Sequence, residues 1–264
     1  MFRIERQEKV LHYINEKQTV KTQELAKVFK TSLVTIRNDI NELATRGLVI
    51  KTHGGAVCRQ HSPNTEIPSV IHFQENIESK QAIASLAADM IADGDVIMLD
   101  AGSTTYEIAG RIKAKGVTVI TNDLKIGITL AERGDVSLIM TGGSLLPSVY
   151  TLVGTEAIDF INCIKVKKLF LGCDAIDFTW GISNRTMEEV HVKNAMIQAA
   201  HEVIAVADCS KFNRQVFARL CGLERINTLI TDRIDAEARE RLENFGVRVL
   251  TASPARHKKG GTPE

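Results

Sequence analysis

Thr31-Ser-Leu-Val-Thr-Ile-Arg-Asn-Asp-Ile-Asn-Glu-Leu43, followed by Gly47-Leu-Val-Ile-Lys-Thr-His-Gly-Gly-Ala56, decides how the N-terminal part of this chain folds. Ser32 can cap the free N–H groups of a first helical turn. Leu33, Ile36, Ile40 and Leu43 recur at the helical period, so that side is expected to pack inward. Val34, Asn38 and Asn41 face the other way, with Thr35 and Arg37 on the flanks. This outward surface is short-chained and hydrogen-bonding, with one guanidinium suited to phosphate or a guanine edge. Gly47 ends the helix, an apolar run follows, and Gly54-Gly55 is expected to supply a two-residue turn at positive φ.

Two further helices lie upstream. Residues 3–17 place Val10, Leu11 and Ile14 on one stripe, and Thr22 is expected to cap a short helix with Leu25, Ala26 and Phe29 inward. Helix, short helix, reading helix and glycine-turned hairpin is the winged form of helix-turn-helix, whose later helix enters a major groove. Charge agrees: residues 1–60 hold 11 Lys/Arg against 6 Asp/Glu, a net of +5, while the remainder carries −4. Such a local basic excess is what phosphate contacts require. The expected DNA contacts are Ser32, Val34, Thr35, Arg37 and Asn38 on the helix, with Arg46, Lys51 and His53 meeting phosphates.

Length and composition set the bounds. The 264 residues suffice for two domains, and 44% hydrophobic with 25% charged residues is ordinary for a soluble chain. No apolar run is long enough to span a bilayer, the charged N-terminus does not read as a secretory signal, and a cytoplasmic location is expected. Five scattered cysteines without a Cys-x-x-Cys pair fit neither a disulfide framework nor zinc, and most are expected to be small buried hydrophobes. No cofactor or metal is expected. His191 and His201 lack a second ligand, and Trp180 reads as loop packing.

The expected organisation is a winged domain at 1–57, a polar linker at 58–75, an effector domain at 76–251 and a disordered tail at 252–264. From residue 76, helices near 76–92, 104–114, 124–133, 154–162, 186–200 and 235–244 alternate with apolar strands. The strands fall at 96–100, 117–121, 136–140, 166–173, 203–207, 227–231 and 247–250. Continuous apolar strands between helices predict a mostly parallel α/β sheet covered on both faces.

Ligands of open α/β sheets bind beyond the carboxyl ends of the strands. There this chain carries Asp100-Ala-Gly-Ser-Thr-Thr105, Asn122, Gly142-Gly143, Asp174, and Asp208 with Lys211. Hydroxyls and N–H groups at Gly102, Ser103, Thr104 and Thr105 can hold a phosphate, and the carboxylates and Asn122 can accept sugar hydroxyls.

Taken together, Thr35-Ile-Arg-Asn-Asp39, His53-Gly-Gly-Ala56, Leu99-Asp-Ala-Gly-Ser-Thr-Thr105, Thr121-Asn122, Gly142-Gly143, Glu189-x-x-x-Lys193 and Asp208-x-x-Lys211 resemble the DeoR/GlpR-type transcriptional regulators. The resemblance runs over residues 3–250. It implies operator binding by the winged domain and a sensor domain similar to ribose-5-phosphate isomerase and coenzyme A transferases. It also implies a phosphorylated sugar or related intermediate as the effector that relieves repression, and a homo-oligomer, dimer or tetramer, with no membrane partner. Many members carry Arg-Arg-Asp where this chain has Arg37-Asn38-Asp39, which bears on the operator sequence, because Asn pairs with adenine. Cys209 stands where members often have Ser. The expected function is a non-enzymatic repressor of a carbohydrate-catabolism operon. The alternatives are an isomerase-like enzyme with an appended DNA-binding domain, using Asp100, Asp174, Glu189 and Lys211, and an architectural DNA-binding protein. By itself, Glu189 and Lys193 at i,i+4 reads as an ordinary surface pair, which the resemblance moves towards the effector site or a subunit contact.

Overall fold

The computed structural model describes residues 3–58, 73, 75–146 and 149–252. They form two compact units, divided after Ser62. The expected linker and tail fall almost wholly outside the described residues.

The N-terminal unit runs α1 (Arg3–Lys17), β1 (Thr19–Lys21), α2 (Thr22–Val28), α3 (Leu33–Thr45), β2 (Val49–Thr52) and β3 (Gly55–Cys58). Its core is Val10, Leu11, Ile14, Leu25, Ile36, Ile40 and Leu43. The wing is a three-stranded antiparallel sheet, β1-β3-β2, in which β1 was not expected. That strand changes the reading of the two glycines. Only Gly54 has positive φ, +89°. Gly55 pairs with both Thr52 and Lys21, and a Cβ there would lie 2.1 Å from the Val20 carbonyl oxygen, so its role is close approach of β1. Thr22 does not cap α2. Lys21 occupies that position, and the Thr22 N–H donates instead to the Gly54 carbonyl at 2.8 Å.

Leu33 is 41% exposed, contrary to expectation. The buried face of α3 is Ile36, Asp39, Ile40 and Leu43. At 3.6 residues per turn, including Asp39 turns the centre of that face roughly 70° from Leu33. Asp39 is buried because it joins α3 to α1: Oδ2 accepts Arg6 Nε at 2.7 Å, and Oδ1 accepts Arg6 Nη2 at 3.2 Å and Gln7 Nε2 at 3.1 Å. This two-toothed contact raises the Arg6 pKa.

The second unit contains, in chain order, α4 (Ile77–Ala88), β4 (Val96–Leu99), α5 (Ser103–Ala109), β5 (Val117–Thr121), α6 (Leu124–Ala131), β6 (Val136–Met140), β7 (Ser144–Leu146), β8 (Thr151–Val153) and α7 (Thr155–Asn162). It continues with β9 (Val166–Leu171), β10 (Ala175–Asp177), β11 (Gly181–Asn184), α8 (Met187–Ala199), β12 (Ala200–Val206), β13 (Ala218–Cys221), β14 (Thr228–Thr231), α9 (Ala236–Asn244) and β15 (Arg248–Thr251). Seven strands form one sheet, ordered β15-β14-β12-β9-β4-β5-β6, with every pair parallel. Two apolar cores flank it, one holding Ile97, Leu99, Ile83 and Ile108, the other Met98, Leu169, Val192 and Met196. Strand order departs in opposite directions from the neighbours β4 and β9, which makes their carboxyl ends the switch point where a crevice opens. The hairpin β7–β8 and the antiparallel trio β10-β11-β13 were not expected, because strands of three or four residues carry too few alternations to register. The helix foreseen near 104–114 stops at Ala109, with Gly110 as its C-cap. The cysteines also depart from expectation: four are half-buried and Cys163 is exposed.

Candidate functional site

The reading helix presents its predicted contacts as a group. Ser32 caps α3, accepting the Thr35 N–H at 3.0 Å, and the two hydroxyls lie 2.8 Å apart. Val34, Arg37, Asn38 and Asn41 are exposed along the helix, Arg46 is its exposed C-cap, and Lys51 and His53 are exposed on the wing. Thr35 is half-buried, its hydroxyl engaged by the cap. Leu33, assigned inward by periodicity, joins this outer surface.

The switch point of the α/β sheet holds a pocket lined by residues from β4, β5, β9, β11, β12, α4, α5 and α8 or the turns after them. Of the predicted effector residues, Gly102, Ser103, Thr104, Thr105, Asp174 and Lys211 line it. Asp100 lies beneath, fully buried, where Oδ2 accepts the Gly172 N–H at 2.9 Å and pairs with the Lys193 ammonium. Asn122, Gly142 and Gly143 are not among the lining residues. Asn122 is buried and fastens β8 to the end of β5, its Nδ2 donating to the Leu152 carbonyl at 3.2 Å. Gly143 has φ +106°, and a Cβ there would meet the Val153 carbonyl oxygen at 2.5 Å, so the pair forms the turn that lets β7 run against β8.

The turn after β4 is poised for a ligand. Gly102 donates its N–H to Asp123 Oδ2 at 3.2 Å, and its carbonyl accepts the Thr105 hydroxyl at 2.8 Å. The N–H groups of Ser103, Thr104 and Thr105 have no partner among the described residues. Burial pushes the Asp123 carboxyl up, against its hydrogen bonds from Ile126, Lys125 and Gly102. Asn184 Oδ1, also in the lining, is buried without a hydrogen-bond partner, as is Asp100 Oδ1. Native proteins rarely leave such acceptors unsatisfied, so an orphan on a pocket-lining residue is a candidate acceptor for a ligand donor.

Three lysines line this pocket. Lys193 is spent inside the protein, on Asp100 and on the Gly172 carbonyl at 3.2 Å. Burial works against its charge, yet Asp100 and Glu189 hold its pKa above the ordinary lysine value. Glu189 and Lys193 are therefore a buried pair of pocket residues, not a surface pair. Glu189 is also tied to the N-cap of α8: its N–H donates to Thr186 Oγ1 at 3.4 Å, and its carboxylate accepts the Thr186 hydroxyl at 3.2 Å. Lys211 is half-buried; its backbone N–H donates to the Asp208 carbonyl at 3.1 Å, and its ammonium has no hydrogen-bond or ion-pair partner among the described residues. Lys80 is 4% exposed, and burial pushes its pKa down to about 8 against the opposing pull of Asp208. Sequence reasoning missed Lys80. Its signal was a lysine on the buried stripe of α4, in step with Ile83, Ala84 and Ala87.

Comparison with known proteins agrees with both halves. The DeoR-like helix-turn-helix domain matches residues 6–61, and the DeoR C terminal sensor domain matches residues 75–233. The HTH-type transcriptional regulator GlpR of Haloferax volcanii is 34% identical over 256 residues, covering 95% of this chain and 98% of that protein. The chain belongs to the DeoR family. As a DeoR-family member it is a DNA-binding transcriptional regulator with a C-terminal sensor domain. The glycerol-3-phosphate regulon repressor of Escherichia coli K12 is another relative, 29% identical over 233 residues that cover 88% of this chain and 92% of that one. Among solved structures, ribose 5-phosphate isomerase from Plasmodium falciparum is similar to about half of each chain (50% and 52%), at 18% identity and a TM-score of 0.38. No helix among the described residues is long and apolar enough to cross a membrane.

Proposed function

We propose that this DeoR-family regulator represses a carbohydrate-catabolism operon and is released from its operator by a phosphorylated sugar or related intermediate bound in the switch-point pocket. One observation carries the reading. The same pocket offers unpartnered N–H groups on Ser103–Thr105 and the Lys211 ammonium to an anion, and the orphaned Asn184 Oδ1 to a hydroxyl. An apolar ligand would leave these groups unsatisfied, at ~1–3 kcal/mol each. A phosphate ester of a polyol satisfies both sets. Asp174 and Asp208 supply further acceptors. Glycerol-3-phosphate in a relative's name is in keeping with this chemistry.

On the DNA side, Val34, Thr35, Arg37 and Asn38 read base edges from α3, Ser32 sets the helix start, and Arg46, Lys51 and His53 meet phosphates. The pocket binds its ligand without turning it over. An isomerase needs a carboxylate free to take a proton from the sugar carbon. Here Asp100 is sealed beneath the pocket by Lys193, Glu189 is tied into the start of α8, and Asp174 already accepts hydrogen bonds from the Asn184 amide at 3.3 Å and the Arg185 N–H at 3.2 Å. Two copies act together, since one reading helix covers only a half-site.

A mobility-shift titration on the DNA upstream of the gene, with a panel of sugar phosphates, tests the proposal. Release by one of them, with ~2.7 kcal/mol of stabilisation at a hundredfold excess over its Kd, is the expected result. Operator binding that no member of the panel perturbs refutes the sensor assignment.

A further inference from the structure

The first turn of the reading helix is chemically unlike the rest of that surface. Leu33 and Val34 are its first two residues, and both side chains lie in the open, at 41% and 64% exposure. No other large apolar side chain of the described winged unit is as exposed as Val34. A single exposed apolar residue is ordinary. Here two are adjacent, on a surface whose other exposed members, Arg37, Asn38 and Asn41, are all hydrogen-bonding. The core face of α3 is Ile36, Asp39, Ile40 and Leu43, which leaves both outside it. The hydroxyls beside them are already engaged. Ser32 Oγ accepts the Thr35 N–H at 3.0 Å, and the Ser32 and Thr35 hydroxyls share a hydrogen bond at 2.8 Å. This turn therefore offers a partner little besides hydrocarbon, held in place by the cap.

The apolar group that a major groove displays is the C5-methyl of thymine, set among hydrogen-bond donors and acceptors. We infer that Leu33 and Val34 together form a hydrocarbon contact for thymine methyls, and so select A·T pairs facing the start of α3. The inference rests on the assignment of α3 as the DNA-reading helix and deepens it. Over a G·C pair the same side chains would cover donors and acceptors without satisfying them, which adds a penalty to the wrong base. Chemistry thus divides the reading surface: its first turn meets methyls, and polar readout begins at Arg37 and Asn38. Val34 and Asn38 are four residues apart on one stripe, roughly 6 Å along the helix. That is about two base-pair steps of 3.4 Å. Because Asn38 suits adenine, this surface matches an operator that carries a thymine within about two steps of an adenine.

Uracil in place of thymine removes the methyl and leaves base pairing and phosphate charge alone. The test titrates the full-length protein, by fluorescence anisotropy, onto the DNA upstream of its gene, amplified with either dTTP or dUTP. The parent is expected to bind the uracil fragment at least about fourfold more weakly, the worth of one buried methyl. A variant carrying both Leu33→Ala and Val34→Ala is expected to bind the thymine fragment about as weakly as the parent binds the uracil one, and to distinguish the two no longer. Both positions are exposed and alanine favours a helix, so the fold persists, which circular dichroism checks. Should the double variant fail to fold, Val34→Ala alone decides. A parent indifferent to uracil overturns the inference. So does a folded variant that discriminates as the parent does, because the uracil effect then comes from DNA shape or from other residues. A parent that binds neither fragment defeats the reading-helix assignment itself, and this inference with it. No effector enters the assay, so the outcome is separate from that of the sensor proposal.

Discussion

Replacing Lys80 with methionine should make this protein more stable and a worse sensor. In the folded state burial depresses the Lys80 pKa from 10.5 to about 8, with Asp208 offsetting part of the effect. Keeping the side chain charged at neutral pH therefore costs the fold on the order of 3 kcal/mol. Because the folded pKa lies below the unfolded one, the penalty is fully present below pH 8 and fades as pH rises from 8 towards 10.5. Methionine fills similar space without a charge, and Asp208 keeps its hydrogen bonds from Asn76 at 3.0 Å and Ser210 at 3.0 Å. Urea unfolding at pH 7 should show a gain of ~1–3 kcal/mol that shrinks towards pH 10. Loss of one charge-assisted hydrogen bond to the anion removes ~1.5–3 kcal/mol of binding, or roughly 10- to 150-fold in Kd for the active sugar phosphate. A variant that is destabilised at pH 7, or that binds the effector as tightly as the parent, would refute this reasoning.

The same depressed pKa predicts that effector affinity is level near neutrality and weakens above pH 8, as the lysine must be recharged to meet the anion. Calorimetry in buffers of different ionisation enthalpy should detect uptake of about 0.7 proton per ligand at pH 8.5. On the DNA side, Asn38→Ala is expected to relax preference at one base pair by ~1–3 kcal/mol, whereas Lys51→Ala weakens all sequences alike and lowers the salt slope by about one. A sequence-independent loss at Asn38 would contradict base reading. Gly55→Ala drives a Cβ against the Val20 carbonyl, so the wing should lose ~1–3 kcal/mol or more, and operator affinity with it, while effector binding persists. Normal DNA binding by this variant would show that β1 and β3 can separate freely.

What was readable in the one-dimensional chain followed from local periodicity. The three helices of the winged unit, all seven parallel strands and the glycine turn after β4 repeat at helical or strand spacing, and each buries a face that its own residues announce. Strand ends could be named as ligand-bearing because a parallel sheet collects them on one side. Which ends converge was settled by strand order alone. Adjacency of β4, β9 and β12 brought Gly102–Thr105, Asp174 and Lys211 together, and left Gly142, Gly143 and Asn122 to hold the β7–β8 hairpin. Charge roles also depended on three dimensions. Nothing in a linear spacing tells a surface Glu189–Lys193 pair from a buried one, or separates an outward Arg37 from an Asp39 clamped by Arg6. Whether a charged side chain is solvated, paired or held ready for a ligand depends on which neighbours displace its water, and those neighbours come from distant parts of the chain.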